Sequence, residues 1–220
     1  SSWSMRPWVL MTQAGIAFEE VQLRFDSFSG DSQFKQRLGR ISPAGKVPVL
    51  TDGELVVWDT LAIAEYLAEK FPELHLWPRG APERARARSV CAEMHSGFGA
   101  LRSACGMNIE AQLPEAGAII WRDRPGVRAD VARIVEMWQE LLAMHGGPML
   151  FGRFGIADAF YAPVVMRLKT YALPVPDDVA AYMARLCALP GVAAWIEGAL
   201  AEQDFLPFAE PYRAARPAAA

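Results

Sequence analysis

A proline inside a strand-like run constrains this chain most: Lys46-Val47-Pro48-Val49-Leu50. Proline has no N–H to give a ladder, so a strand that carries it ends or turns there. A cis bond before Pro48 would bare the backbone groups of Val47 for an extended peptide to pair with. Thr51-Asp52-Gly53-Glu54 supplies the Asp-Gly pair of a tight hairpin, and Leu55-Val56-Val57-Trp58 is the returning strand. A helix then opens at Thr60 and runs to Lys70, beside the proline.

The start of that helix is chemically loaded. Unpaired N–H groups and the positive end of the helix dipole attract a carboxylate, the Thr60 hydroxyl adds a donor, and Asp59 can hold an ammonium. The pair suits the zwitterionic end of an amino acid. Taken alone, Asp59 reads more simply as an N-cap; a bared Val47 backbone next to it turns the balance toward a ligand site.

Composition narrows the class. At 220 residues the chain can bury a substantial core as one large domain or two modest ones. A net charge of −3 and a pI near 5.7 argue against nucleic-acid and membrane-surface binding, whose footprint is basic. Cys91, Cys105 and Cys187 lie far apart with no CxxC spacing, so they read as thiols of a reducing compartment, the cytoplasm by default. His75, His95 and His145 show no ligand spacing, and no metal is expected.

The segment Asp59-Thr60-Leu61-Ala62-Ile63-Ala64-Glu65-Tyr66-Leu67, after a Val-Pro and a hairpin, resembles the tripeptide site of the glutathione S-transferases. There an acidic residue or Gln with Ser or Thr opens a helix reading S/T-x-A-I-x-x-Y-L. The resemblance continues through Leu76-Trp77-Pro78 and Gly155-Ile156-Ala157-Asp158-Ala159-Phe160. It implies an α/β thioredoxin-like domain over residues 1–71, a linker over 72–81, an all-helical domain over 82–206 and a loose tail over 207–220, in which Phe208 and Tyr212 can pack back. In the family fold a central strand would precede Ser1, so upstream residues are expected. Apolar spacing predicts helices over 5–14, with Pro7 in the first turn, and over 32–38, and a strand over 18–25. In the second half it predicts helices over 82–104, 127–144, 156–171, 179–189 and 192–203. Gly155 replaces the hydroxyl of the family's Ser/Thr-x-x-Asp capping box, so Asp158 is read as structural, in a slightly weakened cap.

The resemblance places the sulfur-activating residue in Ser1-Ser2-Trp3-Ser4-Met5-Arg6-Pro7, which is similar to the zeta-type Ser-Ser-Cys-x-x-Arg turn. A thiol near pKa 8.5 is a few per cent ionised at neutral pH, and lowering it by about 2 pH units means ~2.7 kcal/mol in favour of the thiolate. A serine hydroxyl and a helix N-terminus supply that by hydrogen bond and dipole, not by proton abstraction. Ser1 is the first choice, Ser2 the second, and Ser4 reads as a helix cap. Trp3 stands where the zeta pattern has Cys, which weakens the case for maleylacetoacetate isomerisation.

Glutathione is thus the implied co-substrate, with Val47, Pro48, Asp59 and Thr60 as its core site. Arg6 lies along the tripeptide or makes a surface ion pair. Gln33 and Lys46 face the glycine end or are solvated. Met94, Phe98, Arg102 and Asn108 form a mixed surface for the second substrate, and Arg84-Ala85-Arg86-Ala87-Arg88 is a solvated face or one side of a dimer cleft. The expected protein is a homodimeric transferase acting on a small electrophile. A glutathione-dependent isomerase, dehalogenase or peroxidase, and a non-catalytic glutathione-binding scaffold, are the alternatives.

Overall fold

The computed structural model describes residues 1–27 and 29–213. Twelve elements follow in order: α1 (Ser2–Ala14), α2 (Gln33–Gly39), β1 (Leu50–Asp52), β2 (Leu55–Val57), α3 (Thr60–Lys70), α4 (Ala81–Ser96), α5 (Gly99–Ala104), α6 (Pro114–Asp123), α7 (Pro125–His145), α8 (Ile156–Thr170), α9 (Asp177–Cys187) and α10 (Pro190–Glu202). The architecture is a thioredoxin-like α/β part followed by an all-helical part. Among the described residues no single helix is long and apolar enough to cross a membrane.

The hairpin forms where the Asp-Gly turn puts it. β1 and β2 run antiparallel with Leu50 opposite Val57 and Asp52 opposite Leu55, and Gly53 takes the positive φ of 60° that the turn requires. Val47–Pro48 is cis. Residues 18–25 are not a strand: no neighbouring strand among the described residues offers them a ladder. Side chains hold this stretch instead, Arg24 to Asp204, Gln22 to Glu202 and Trp8 Nε1 to Glu20.

α1 begins earlier than apolar spacing suggests, because Ser1 caps it, so Pro7 falls in the second turn rather than the first. Gly15, at φ 72°, ends it in a left-handed turn. Buried along Met5, Val9 and Leu10, α1 packs chiefly against α8 and α10. α8 is the core helix: every residue but Lys169 is buried, as expected of a helix apolar on all sides. At its start Asp158 accepts from Gly155 N–H at 3.0 Å, Leu150 N–H at 3.1 Å and the Tyr182 hydroxyl at 3.0 Å. Only the carboxylate half of the capping box is present, Gly155 having no side chain.

Two helical expectations need correction. The helix expected over 82–104 breaks at Gly97 and Phe98, Phe98 adopting φ 55°. Arg102 reaches back from α5 to the freed carbonyls of His95 and Gly97, each at 3.3 Å, and Asp130 of α7 caps the start of α5 at Leu101 N–H. Apolar spacing gives no helix over 114–123, where the structure has α6. Its Gly117 looks like a breaker but is required by packing, since a Cβ there would sit 1.7 Å from the Tyr171 carbonyl oxygen. At the C-terminal end Phe208 packs on Phe25 and Tyr212 on Tyr171; residues 214–220 of the expected loose tail lie outside the described residues.

Candidate functional site

Three chain features converge at the N-terminus of α1: the serine turn, the start of α3, and the α4–α5 break with the end of α8. Ser1 Oγ accepts from Trp3 N–H and Ser4 N–H, both at 3.3 Å, so it is the N-cap of α1 and keeps its own O–H to give. Ser2 Oγ accepts from Arg167 Nη2 at 3.3 Å, which likewise leaves its hydrogen free. Both hydroxyls are therefore donors in waiting.

Asp59 caps α3, taking Leu61 N–H on Oδ1 at 3.0 Å, while Oδ2 faces His95 Nε2 at 3.2 Å. Its side chain remains half exposed. Val47, half-buried ahead of cis Pro48, has neither its N–H nor its C=O engaged in a hydrogen bond among the described residues. Thr60 differs from expectation. It is fully buried, and Arg6 Nη1 donates to its hydroxyl at 3.4 Å, so it supports Arg6 rather than presenting its hydroxyl at the surface.

The most unusual chemistry lies beneath the serine turn. Arg6 is 2% exposed and Arg167 7%, and neither makes an ion pair among the described residues; nor does Arg102. Arg6 Nε is buried without a partner. Arg167 reaches only neutral acceptors, the carbonyls of Arg102 and Cys105 and Ser2 Oγ. Two guanidiniums lie over the Trp3 ring, Arg6 at 4.2 Å and Arg102 at 4.9 Å from its centroid, and Arg6 also faces Phe160 at 5.1 Å. Burial, then the neighbouring Arg102, pull both Arg6 and Arg167 down to about 10. They remain cations at neutral pH, short of counter-charge. Such a cluster is poised to take an anion.

The remaining sequence candidates scatter. Gln33 is exposed at the start of α2, its N–H on Asp26 Oδ2 at 3.0 Å, and Lys46 is exposed with no ion pair among the described residues; no contact ties either to Asp59. Met94 and Phe98, 1% and 7% exposed, are core side chains and not an open lining. Asn108 is tied to Glu210 at 2.8 Å and to Ala111 N–H at 2.9 Å. Arg88 is occupied by Glu65 and Arg86 by Glu140. Among the described residues no three His, Cys, Asp or Glu side chains cluster as metal ligands. Sequence reasoning missed Arg167 and His95. A cation directly following the apolar run of α8 was the available signal for Arg167; His95 left none, because its meaning depends on where α4 meets α3.

A thioredoxin-like part with a cis-proline hairpin, followed by helices that close over its α1 turn, defines a glutathione-transferase fold. Family models for the glutathione S-transferase N-terminal and C-terminal domains match residues 1–70 and 84–198, and the chain belongs to the glutathione S-transferase family. Glutathione S-transferase 1 of Dianthus caryophyllus is 30% identical over 168 residues, 76% of this chain and 72% of that one. Glutathione S-transferase Z1 of Arabidopsis thaliana is 40% identical over 88 residues, 39% of this chain and 37% of its own length. The glutathione-bound theta class enzyme of Xanthomonas axonopodis pv. citri superposes with a TM-score of 0.64 at 25% identity, covering 89% of this chain and 92% of that one.

Proposed function

We propose that this protein is a serine-type glutathione transferase whose electrophilic co-substrate carries a carboxylate. The glutathione half rests on the free backbone of Val47 ahead of cis Pro48, which can pair with the tripeptide, and on Asp59, which can hold its α-ammonium. Ser1, with Ser2 as the second donor, turns an O–H toward the sulfur and stabilises the thiolate, helped by the N-terminus of α1. Solvent takes the thiol proton. Gln33 and Lys46 are kept as contacts for the glycine end.

One observation carries the substrate class: Arg6 and Arg102 lie over Trp3 and Arg167 reaches Ser2 Oγ, three cations at the serine turn with no ion pair among the described residues. A carboxylate there would be fixed by charge-assisted bonds and would place a conjugated double bond near the sulfur. Addition then forms the C–S bond, and the electron pair displaced from the double bond takes a proton from water. Positive charge at the carboxylate stabilises the enolate-like transition state.

Reversible addition to a cis double bond, rotation and elimination would make the same site an isomerase, which the arginines favour and Trp3 in place of the zeta cysteine disfavours. In this reading residues 1–71 are the glutathione domain and 82–206 the helical domain, joined by 72–81, and the protein works as a cytoplasmic homodimer.

The test is calorimetric titration with reduced glutathione, then rates with an α,β-unsaturated acid and its methyl ester. One-to-one binding per subunit and at least a tenfold higher kcat/KM for the acid are expected. Preference for the ester would overturn the substrate class, and no binding at millimolar glutathione would make the chain a scaffold that keeps the fold without the chemistry.

A further inference from the structure

Asp59 is held from two sides. Leu61 N–H fixes Oδ1 from within α3, and His95 Nε2 meets Oδ2 from the last turn of α4. The imidazole is itself fixed: its ring stands edge-on to Trp3 with centroids 5.1 Å apart, and its own carbonyl accepts from Arg102. Nδ1 is buried without a partner. In a neutral ring a buried bare lone pair is easier to tolerate than a buried N–H with no acceptor, so the proton is assigned to Nε2, the nitrogen 3.2 Å from Asp59 Oδ2.

A neutral donor is chemically distinct from a cation at this position. It orients the carboxylate without cancelling its charge, so the full negative charge of Asp59 stays available to a ligand cation. An arginine in the same place would take up that charge. We infer that His95 is a positioning residue for the ammonium end of glutathione: by the 3.2 Å approach of Nε2 to Oδ2 it turns Asp59 toward the ligand and ties that end of the site to the helical half of the protein. This rests on the reading of Asp59 as the ammonium anchor.

A cycle with two ligands and the full chain tests it. Glutathione is compared by calorimetry with glutaryl-cysteinyl-glycine, the same tripeptide without the ammonium, in the native protein, in His95→Leu and in His95→Gln. The native protein should prefer glutathione at least tenfold. His95→Leu, which fills the space but donates nothing, should cut that preference to threefold or less and leave affinity for the deaminated ligand within twofold of native. His95→Gln, whose amide can donate to Oδ2, should restore most of it. Equal weakening of both ligands, or an unchanged preference in His95→Leu, would overturn the inference. His95→Phe, which keeps a ring against Trp3, stands in should His95→Leu not fold. If the native protein binds both ligands alike, Asp59 is no ammonium anchor and the inference falls with it, whereas glutathione transfer itself could still stand.

Discussion

Helix α8 carries two buried charges that are treated in opposite ways. At its start Asp158, 1% exposed, receives three hydrogen bonds and has no polar work left over. Near its end Arg167, 7% exposed, is held by neutral acceptors, next to Arg6 with an unpartnered nitrogen and to Arg102. Desolvation is costly in both places, and only at Asp158 is it opposed locally by a closed set of donors. A satisfied buried charge belongs to the scaffold. An unsatisfied cluster of like charges marks the place where a ligand completes the electrostatics.

The largest effect that would sharpen this contrast is at Asp158. Its replacement by Ala leaves Leu150 N–H, Gly155 N–H and the Tyr182 hydroxyl without their acceptor, at roughly 1–3 kcal/mol each before relaxation. Asp158→Ala should lower stability by about 4 kcal/mol in urea unfolding and Tm by about 10 °C. A loss under 1 kcal/mol would remove Asp158 from the scaffold.

Titration separates the two charges next. Burial pushes the Asp158 carboxyl up from 3.8 to about 6, against the hydrogen bonds that pull it down. The folded state therefore binds this proton more tightly than the unfolded chain. The group's contribution is fully present below the unfolded value and is lost as pH rises through about 6, by roughly 3 kcal/mol. Urea unfolding of native protein and Asp158→Asn should show the native advantage shrinking between pH 4 and pH 7; a constant difference would contradict the raised value.

Arg6→Met should behave in the reverse sense. Arg6 makes one long hydrogen bond, to Thr60 at 3.4 Å, and repels Arg102 and Arg167, so replacing it by an apolar side chain of similar length should leave stability within about 1 kcal/mol of native or raise it. The same change should lower kcat/KM for the unsaturated acid 10- to 100-fold, about 1.4–2.7 kcal/mol, and leave the methyl ester little affected. A variant as unstable as Asp158→Ala would make Arg6 scaffold too and erase the contrast.

What the sequence made legible follows the same division. The Asp-Gly hairpin and the Asp59-capped helix are local, each written in a few adjacent residues; the isomer of Pro48 was not readable, and β1 covers Leu50–Asp52 rather than the run from Lys46. Elements that depend on distant partners were not readable. Residues 18–25 have strand composition but no ladder beside them among the described residues, position 117 in α6 must be Gly because Tyr171 passes too close for a Cβ, and the break at Gly97 is stabilised by Arg102 from the next helix. The site divides likewise: Ser1, Asp59 and Arg6 are visible in motifs, whereas Arg167 and His95 acquire meaning only when α8 meets α1 and α4 meets α3.

The smallest effect concerns which serine serves the sulfur. Ser1 Oγ is the α1 cap and Ser2 Oγ is held by Arg167, so the two hydroxyls point their free hydrogens from different settings. Ser1→Gly removes the hydroxyl while keeping a residue that N-caps tolerate, at a stability cost of a few tenths of a kcal/mol, whereas Ser1→Ala should cost ~1 kcal/mol. With glutathione bound, either Ser1 variant should raise the pH of thiolate formation, read from thiolate absorbance, by about 1 unit with affinity within threefold of native. Ser2→Ala should leave that titration in place and instead weaken the acid substrate, because Ser2 faces the arginine cluster. A shift in Ser2→Ala with none in Ser1→Gly would exchange the two roles and move the sulfur toward Arg167, bringing the thiolate itself into the field of the uncompensated cations.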